Sequence, residues 1–180
     1  MKKNLNQAPD IETERLLLRP HRLEDFSDCV EMWSEPAVSR YTIGEPSSAQ
    51  RTWVRMLAYA GHWVLLGFGY WAVEEKSSGK FIGELGFADF KRDLHTSLEG
   101  VPELGWALAT RAHNKGYATE ALRAVVTWGD AHLEADRTVC LIRPENVASL
   151  RVAAKIDFHE IFRVEKNTTP EIVLARKRSI

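Results

Sequence analysis

The chain has 180 residues, 44% apolar and 27% charged, with 24 Lys+Arg against 25 Asp+Glu and a formal net charge of −1. That length suits one domain with a full core, and the balance excludes disordered and membrane classes. Near-neutrality gives no general attraction to nucleic acid, so a polyanionic ligand needs a local site.

Residues 1–10 are polar and expected to fray, leaving 11–180 as the single domain. The N-terminus lacks the apolar run of a signal peptide, and no stretch reaches the roughly 20 apolar residues of a spanning helix. Cys29 and Cys140 lie in apolar surroundings without metal or multi-bridge spacing, which reads as buried free thiols in a reducing, cytoplasmic setting. The six histidines, at 21, 62, 95, 113, 132 and 159, form no metal-ligand pair, so no metal is expected.

Glu14 to Pro20 carries a short apolar run closed by proline, a buried strand. Leu23 to Met32 has helical spacing and stops at Glu35-Pro36. After a loop at Tyr41 to Pro46, Ser47 or Ser48 caps a second helix with Trp53, Val54, Leu57, Ala58 and Gly61 on one face. Gly69 to Glu74 and Phe81 to Phe87 form a hairpin around Lys76 to Lys80. Lys91 to Gly100 is a charged loop, and Val101 to Leu108 a third strand of this run. From Thr119, Ala121, Leu122, Val125, Val126, Gly129 and Leu133 recur at helical intervals. Arg137 to Ile142 is an apolar strand, and a helix spans Ala148 to Ile156. Strands at Glu160 to Glu165 and Glu171 to Arg176, joined by Asn167 to Pro170, complete the chain. The sum is an α+β fold, a mixed and mostly antiparallel seven-stranded sheet with about four helices.

One stretch stands out. His113, Asn114, Lys115, Gly116, Tyr117, Ala118 and Thr119 carry the chain from a strand into a helix. Such a turn offers unpaired backbone N–H groups at the positive helix end, and Gly116 lets an anion approach. A plain turn has the same composition, so these residues alone leave both readings open. A Walker loop is excluded because Lys115 precedes its glycine, and a dinucleotide fold because G-x-G-x-x-G is absent.

The element order and two separated motifs resemble the GCN5-related N-acetyltransferases, specifically the ribosomal-protein Nα-acetyltransferase branch. The first motif is Glu103-Leu104-Gly105-Trp106 followed by Asn114 to Ala121, similar to the branch's acetyl-CoA pyrophosphate loop. The second runs from Asn146 through Ser149 to Phe158, similar to its Asn-x-x-Ser helix. Glu14 to Arg19 resembles the branch's first strand. The sequence departs at His113, where Arg or Gln is common, at Asn114 and Asp157, where glycine is common, and at Ala153. There, many members carry a tyrosine thought to protonate the leaving thiolate.

The resemblance implies the acyl-CoA N-acyltransferase fold, acetyl-CoA as co-substrate and a primary amine as acceptor. It favours a protein N-terminus, with a small amine such as a polyamine, amino acid or antibiotic, or a non-catalytic coenzyme A module, as alternatives. It makes Glu103 the candidate base, against a solvent-facing carboxylate, and Ser149 a candidate acid, against water. Backbone groups of Trp106, Ala107 and Leu108 become donors to the oxyanion and the pantetheine arm. Asn146 either bonds the pantetheine or caps its helix, and Lys115, Arg111 and Arg151 are candidates for the nucleotide phosphates. Trp53, Trp63 and Trp71 line the acceptor cleft or, as tryptophans at this spacing more often do, the core. A monomer or homodimer with neither nucleic-acid nor membrane partners is expected.

Overall fold

The computed structural model describes residues 6–92, 98–166 and 169–179. In chain order they form β1 (Ile11–Glu12), β2 (Leu16–Arg19), α1 (Phe26–Ser34), α2 (Pro36–Ser39), α3 (Ala49–Leu66), β3 (Tyr70–Glu75), β4 (Lys80–Ala88), β5 (Glu103–Leu108), α4 (Tyr117–His132), β6 (Arg137–Ile142), α5 (Val147–Ala154), β7 (His159–Lys166) and β8 (Thr169–Lys177). Short 3₁₀ turns at Leu23–Asp25 and Thr110–Ala112 precede α1 and the loop before α4.

The sheet has eight strands in the order β1-β2-β3-β4-β5-β6-β8-β7, not the expected seven, and five α-helices accompany it rather than four. The additions are short: β1 has two residues and α2 four, too few for a periodic pattern to show. Every pairing is antiparallel except β5 with β6, and a parallel pair requires a crossover, which α4 supplies. β4 is buried along nearly its whole length because helices cover both faces of the sheet there, which explains its unbroken apolar run.

Against one face packs α4, through Ala121, Leu122 and Val125, all with no exposed surface. Trp63, Trp71 and Trp128 meet edge-on there, at centroid distances of 4.7 to 5.4 Å, so Trp63 and Trp71 belong to the core. The other face carries α1, α2 and α3 through Cys29, Met32, Trp33, Val38 and Met56, packed on Ala72, Phe81 and Ala107. Asp25 fixes the start of α1: its carboxylate takes both terminal nitrogens of the buried Arg19 at 2.8 Å, and Arg19 Nε bonds Glu74. Burial raises the Asp25 carboxyl pKa, but the Arg19 and Arg22 hydrogen bonds outweigh it and hold the group below its usual range.

The chain is seated from Ala8 onward, earlier than the boundary expected after residue 10: Ala8 is buried and Pro9 accepts a 2.7 Å bond from Trp71 Nε1. Part of the expected Lys91–Gly100 loop, residues 93–97, and Asn167 and Thr168 of the last turn lie outside the described residues, while Thr169 and Pro170 already belong to β8. Among the described residues, no helix is long and apolar enough to cross a membrane.

Candidate active site

β5 pairs with β4 over its full length but meets β6 in register only at Glu103 and Val139. Beyond that rung the two parallel strands part, and a cleft of about 410 Å³ opens between them and under α3. Ala109 N–H bonds Ile82 O on one side of β5, whereas Pro102 O accepts from Val139 on the other. Backbone groups alternate along a strand, so the N–H groups of Trp106 and Leu108 face the open edge. That of Ala107 points into the β4 ladder. Ala107 therefore contributes a small side chain to the cleft wall and no free donor, contrary to the expectation for it.

Glu103, Gly105 and Ala107 share one face of β5 and line the cleft. Arg92 grips both oxygens of Glu103, at 2.9 and 3.0 Å. Burial pulls the Arg92 guanidinium's pKa down, but the Glu103 charge and hydrogen bonds outweigh it, so the guanidinium keeps its charge. A Cβ on Gly105 would collide with the Tyr70 hydroxyl, which thus lies over the strand beside Glu103. Tyr70 stacks on Tyr59 with centroids 4.0 Å apart, and burial, reinforced by Glu103, pushes its phenol pKa up, keeping it a neutral donor.

The loop ahead of α4 is shaped by its backbone. Asn114 and Gly116 adopt left-handed φ values of 60 and 81°, and Gly116 caps the helix without a side-chain bond. From Asn114 to Thr119 no backbone N–H has an acceptor among the described residues, which leaves a row of donors at the positive end of a 16-residue helix.

The loop's side chains do other work. His113 Nε2 lies 2.8 Å from Leu108 O and therefore carries its proton there, tying the loop to β5. Tyr117 donates to Glu75 at 2.6 Å, and Lys115, half exposed, is 4.0 Å from the same carboxylate. Arg15, unsuspected from sequence, donates to Lys115 O at 2.9 Å and pairs with Glu120. Burial raises the Glu120 pKa, but hydrogen bonds from Thr13 and from both the backbone and guanidinium of Arg15 overcome it, so Glu120 stays below its usual range. Arg111 turns to Phe81 O at 2.7 Å rather than towards the loop.

On the far wall, Asn146 caps α5 by accepting from Ser149 N–H at 3.1 Å, and both residues line the cleft. Ala153 is fully buried, and Asp157 takes the left-handed position, φ 64°, that its place after α5 requires. The cleft's tryptophans are Trp33 and Trp106, while Trp53 packs edge-on against Phe26. Trp33 Nε1 donates to the buried Glu84 at 2.7 Å; the second Glu84 oxygen is 3.1 Å from His21 Nε2 and 3.8 Å from Cys29 Sγ. Burial, then the charge of Glu84, pushes the Cys29 thiol's pKa up, and burial does the same for Cys140, so neither is a nucleophile.

Residues 15–159 match the acetyltransferase (GNAT) domain family. The Bacillus subtilis protein YkkB is 31% identical over 177 residues, 96% of this chain and 98% of its own. A Bordetella pertussis protein assigned to the GnaT acetyltransferase family superposes with a TM-score of 0.83 at 26% identity, covering 94% of this chain and 99% of that one. More distantly, the ribosomal-protein-S5-alanine acetyltransferase of Vibrio fischeri (TM-score 0.71, 18% identity, 95% and 97% covered) and the aminoglycoside acetyltransferase AAC(6′)-Ib in complex with coenzyme A (0.74, 17%, 91% and 95%) share the fold. A domain match that begins at β2 and reaches β7, carried on a sheet parted beside an N–H-lined loop, means that the chain belongs to the GNAT family of N-acetyltransferases.

Proposed function

We propose that the protein transfers the acetyl group of acetyl-CoA to a primary α-amine, a protein N-terminus of the ribosomal-protein type being the favoured acceptor. The observation that carries this reading is the parting of β5 from β6, which leaves strand-edge N–H groups unpaired beside a cleft lined by Glu103, with the N–H-rich loop following β5 in the chain. Pyrophosphate oxygens suit the row of donors from Asn114 to Thr119, as both the sequence resemblance and the coenzyme A complex of the distant aminoglycoside enzyme suggest.

In the reaction the amine nitrogen bonds to the thioester carbonyl carbon and the C–S bond breaks. The ammonium proton leaves to Glu103, directly or through water; Arg92 holds that carboxylate by two bonds, leaving it a free lone pair on each oxygen. The edge N–H groups of Trp106 and Leu108 stabilise the oxyanion. With alanine at 153, the departing thiolate takes a proton from Ser149 or from water, and the second proton that the nitrogen sheds on becoming an amide replaces the one given up. The preference for a ribosomal-protein acceptor rests on the motif resemblance and on the shared fold of the Vibrio fischeri enzyme. The volume of the cleft, about 410 Å³, favours a small amine as the second reading.

A thiol-release assay with acetyl-CoA over N-terminal peptides, polyamines, amino acids and aminoglycosides tests both. Turnover is expected on peptide α-amines. Turnover confined to polyamines or aminoglycosides would overturn the acceptor assignment, and acetyl-CoA binding without turnover on any amine would overturn acetyl transfer itself.

A further inference from the structure

Two buried polar atoms of residues that line the cleft have no hydrogen-bond partner among the described residues: Arg55 Nη1 on α3 and Glu171 Oε2 on β8. Neither residue has an ion-pair partner among the described residues. Their neighbours differ, since Arg51, one turn before Arg55, pairs with Glu45 at 2.6 Å and Arg92 pairs with Glu103 at 2.9 Å. An unpaired buried guanidinium nitrogen and an unpaired buried carboxylate oxygen each cost free energy, and proteins keep such groups where a ligand completes them.

Arg55 is also held in place. Its Cζ lies 4.0 Å from the centre of the Trp33 ring, and that ring is anchored by the 2.7 Å bond from Nε1 to Glu84. A guanidinium laid on a fixed indole presents its N–H fork in one direction, a geometry that suits a carboxylate. The carboxylates of Glu171 and Glu103, on β8 and β5, line the same cleft; Arg92 binds Glu103 by two direct bonds, and its charge also acts on Glu171 without a direct bond.

We infer that the acceptor is zwitterionic: it carries a carboxylate that binds Arg55 while its ammonium lies towards Glu171 and Glu103. This deepens the proposed acetyl transfer and rests on it. The carboxylate has two sources, the α-carboxylate of a free amino acid or an acidic side chain beside a peptide N-terminus.

The test uses matched acceptors: free amino acids against their amides, and peptides beginning with Asp or Glu against the same peptides with Asn or Gln. Wild-type protein should prefer the acid by about 10- to 100-fold in kcat/KM, the worth of a charge-assisted hydrogen-bond pair. Arg55→Gln should bring that ratio to within about threefold through KM for the acid, and Arg55→Lys should restore part of it. Preference among the amino acids or among the peptides identifies the source. Equal use of acid and amide by wild type would overturn the inference and leave acetyl transfer standing; so would a loss of acetyl-CoA affinity in Arg55→Gln, which would give Arg55 to the cofactor. If no amine turns over, calorimetric titration of the same pairs still reads the site. Acid binding that is lost in Arg55→Gln supports the carboxylate site, and equal binding of acid and amide refutes it.

Discussion

The cleft and the loop that follows β5 are built from different materials. At the loop before α4 the donors are backbone N–H groups, and the side chains of His113, Lys115 and Tyr117 are turned to Leu108, Glu75 and the frame around them. Under α3 the polar groups are side chains, Arg55, Arg92, Glu103 and Glu171, drawn from one helix, two strands and a loop. Backbone donors suit a ligand part that never varies, because they depend on a local conformation and tolerate almost any side chain. Side-chain groups suit a part that must be told from its competitors. In the proposed reaction the constant coenzyme takes the backbone donors and the specific acceptor takes the side-chain groups.

Breaking the backbone donors should have the largest effect. Gly116 sits at φ 81°, where a β-branched residue is strained, and a Cβ there would come 3.5 Å from Arg15 Nη2, the side chain that holds the loop through Lys115 O. Gly116→Val should reduce acetyl-CoA affinity by more than about 100-fold, near 3 kcal/mol, with a thermal melt showing the fold retained. Lys115→Ala should cost less than about tenfold, since its ammonium is half exposed and lies 4.0 Å from a carboxylate. Calorimetry that found Lys115→Ala the more damaging of the two would reverse the assignment of materials.

The side-chain groups should fail in rate rather than in cofactor binding. Glu103→Gln keeps the shape, removes the proton acceptor and leaves Arg92 without its counter-charge. kcat should fall by about 10²- to 10⁴-fold while acetyl-CoA affinity changes little. A variant with the wild-type pH–rate profile would take Glu103 out of the mechanism.

The same contrast explains what was legible in the sequence. The loop and its helix are contiguous, so Asn114 to Thr119 show in the chain as a glycine turn entering a periodic apolar helix. Nearly every longer element was visible for the same reason, and Arg137–Ile142 has the same bounds in the sequence reading and the structure. The cleft is assembled by the sheet from residues far apart. Arg55 and Glu171 come from α3 and β8, and each alone reads as a solvated charge. Glu84 sits alone in an apolar strand, a pattern that suggests a buried partner, yet nothing local says that the partner is Trp33. Arg15 was read only as a strand flank because Glu120, its partner, is 105 residues away. Trp63 and Trp71 lie in the core, as tryptophans at their spacing more often do, whereas Trp53 is exposed beside Phe26, and Trp33 and Trp106 line the cleft.

Asn146 both caps α5 and lines the cleft, and its effect should be the smallest. Its side chain accepts from Ser149 N–H at 3.1 Å, a cap whose loss costs about 1 kcal/mol, so Asn146→Ala should lower the melting temperature by a few degrees. Serine caps as well as asparagine does, and Asn146→Ser should therefore keep the wild-type stability. What serine lacks is the amide N–H₂, the group that faces away from the cap and is free to bond a ligand in the cleft. If Asn146 only caps, the serine variant matches wild type in acetyl-CoA affinity as well as in melting. If the amide also holds the pantetheine arm, stability is kept and affinity falls by about three- to tenfold, as befits one neutral hydrogen bond. The split between the two measurements then places Asn146 with the side-chain groups that read the ligand, although its carbonyl oxygen serves the backbone.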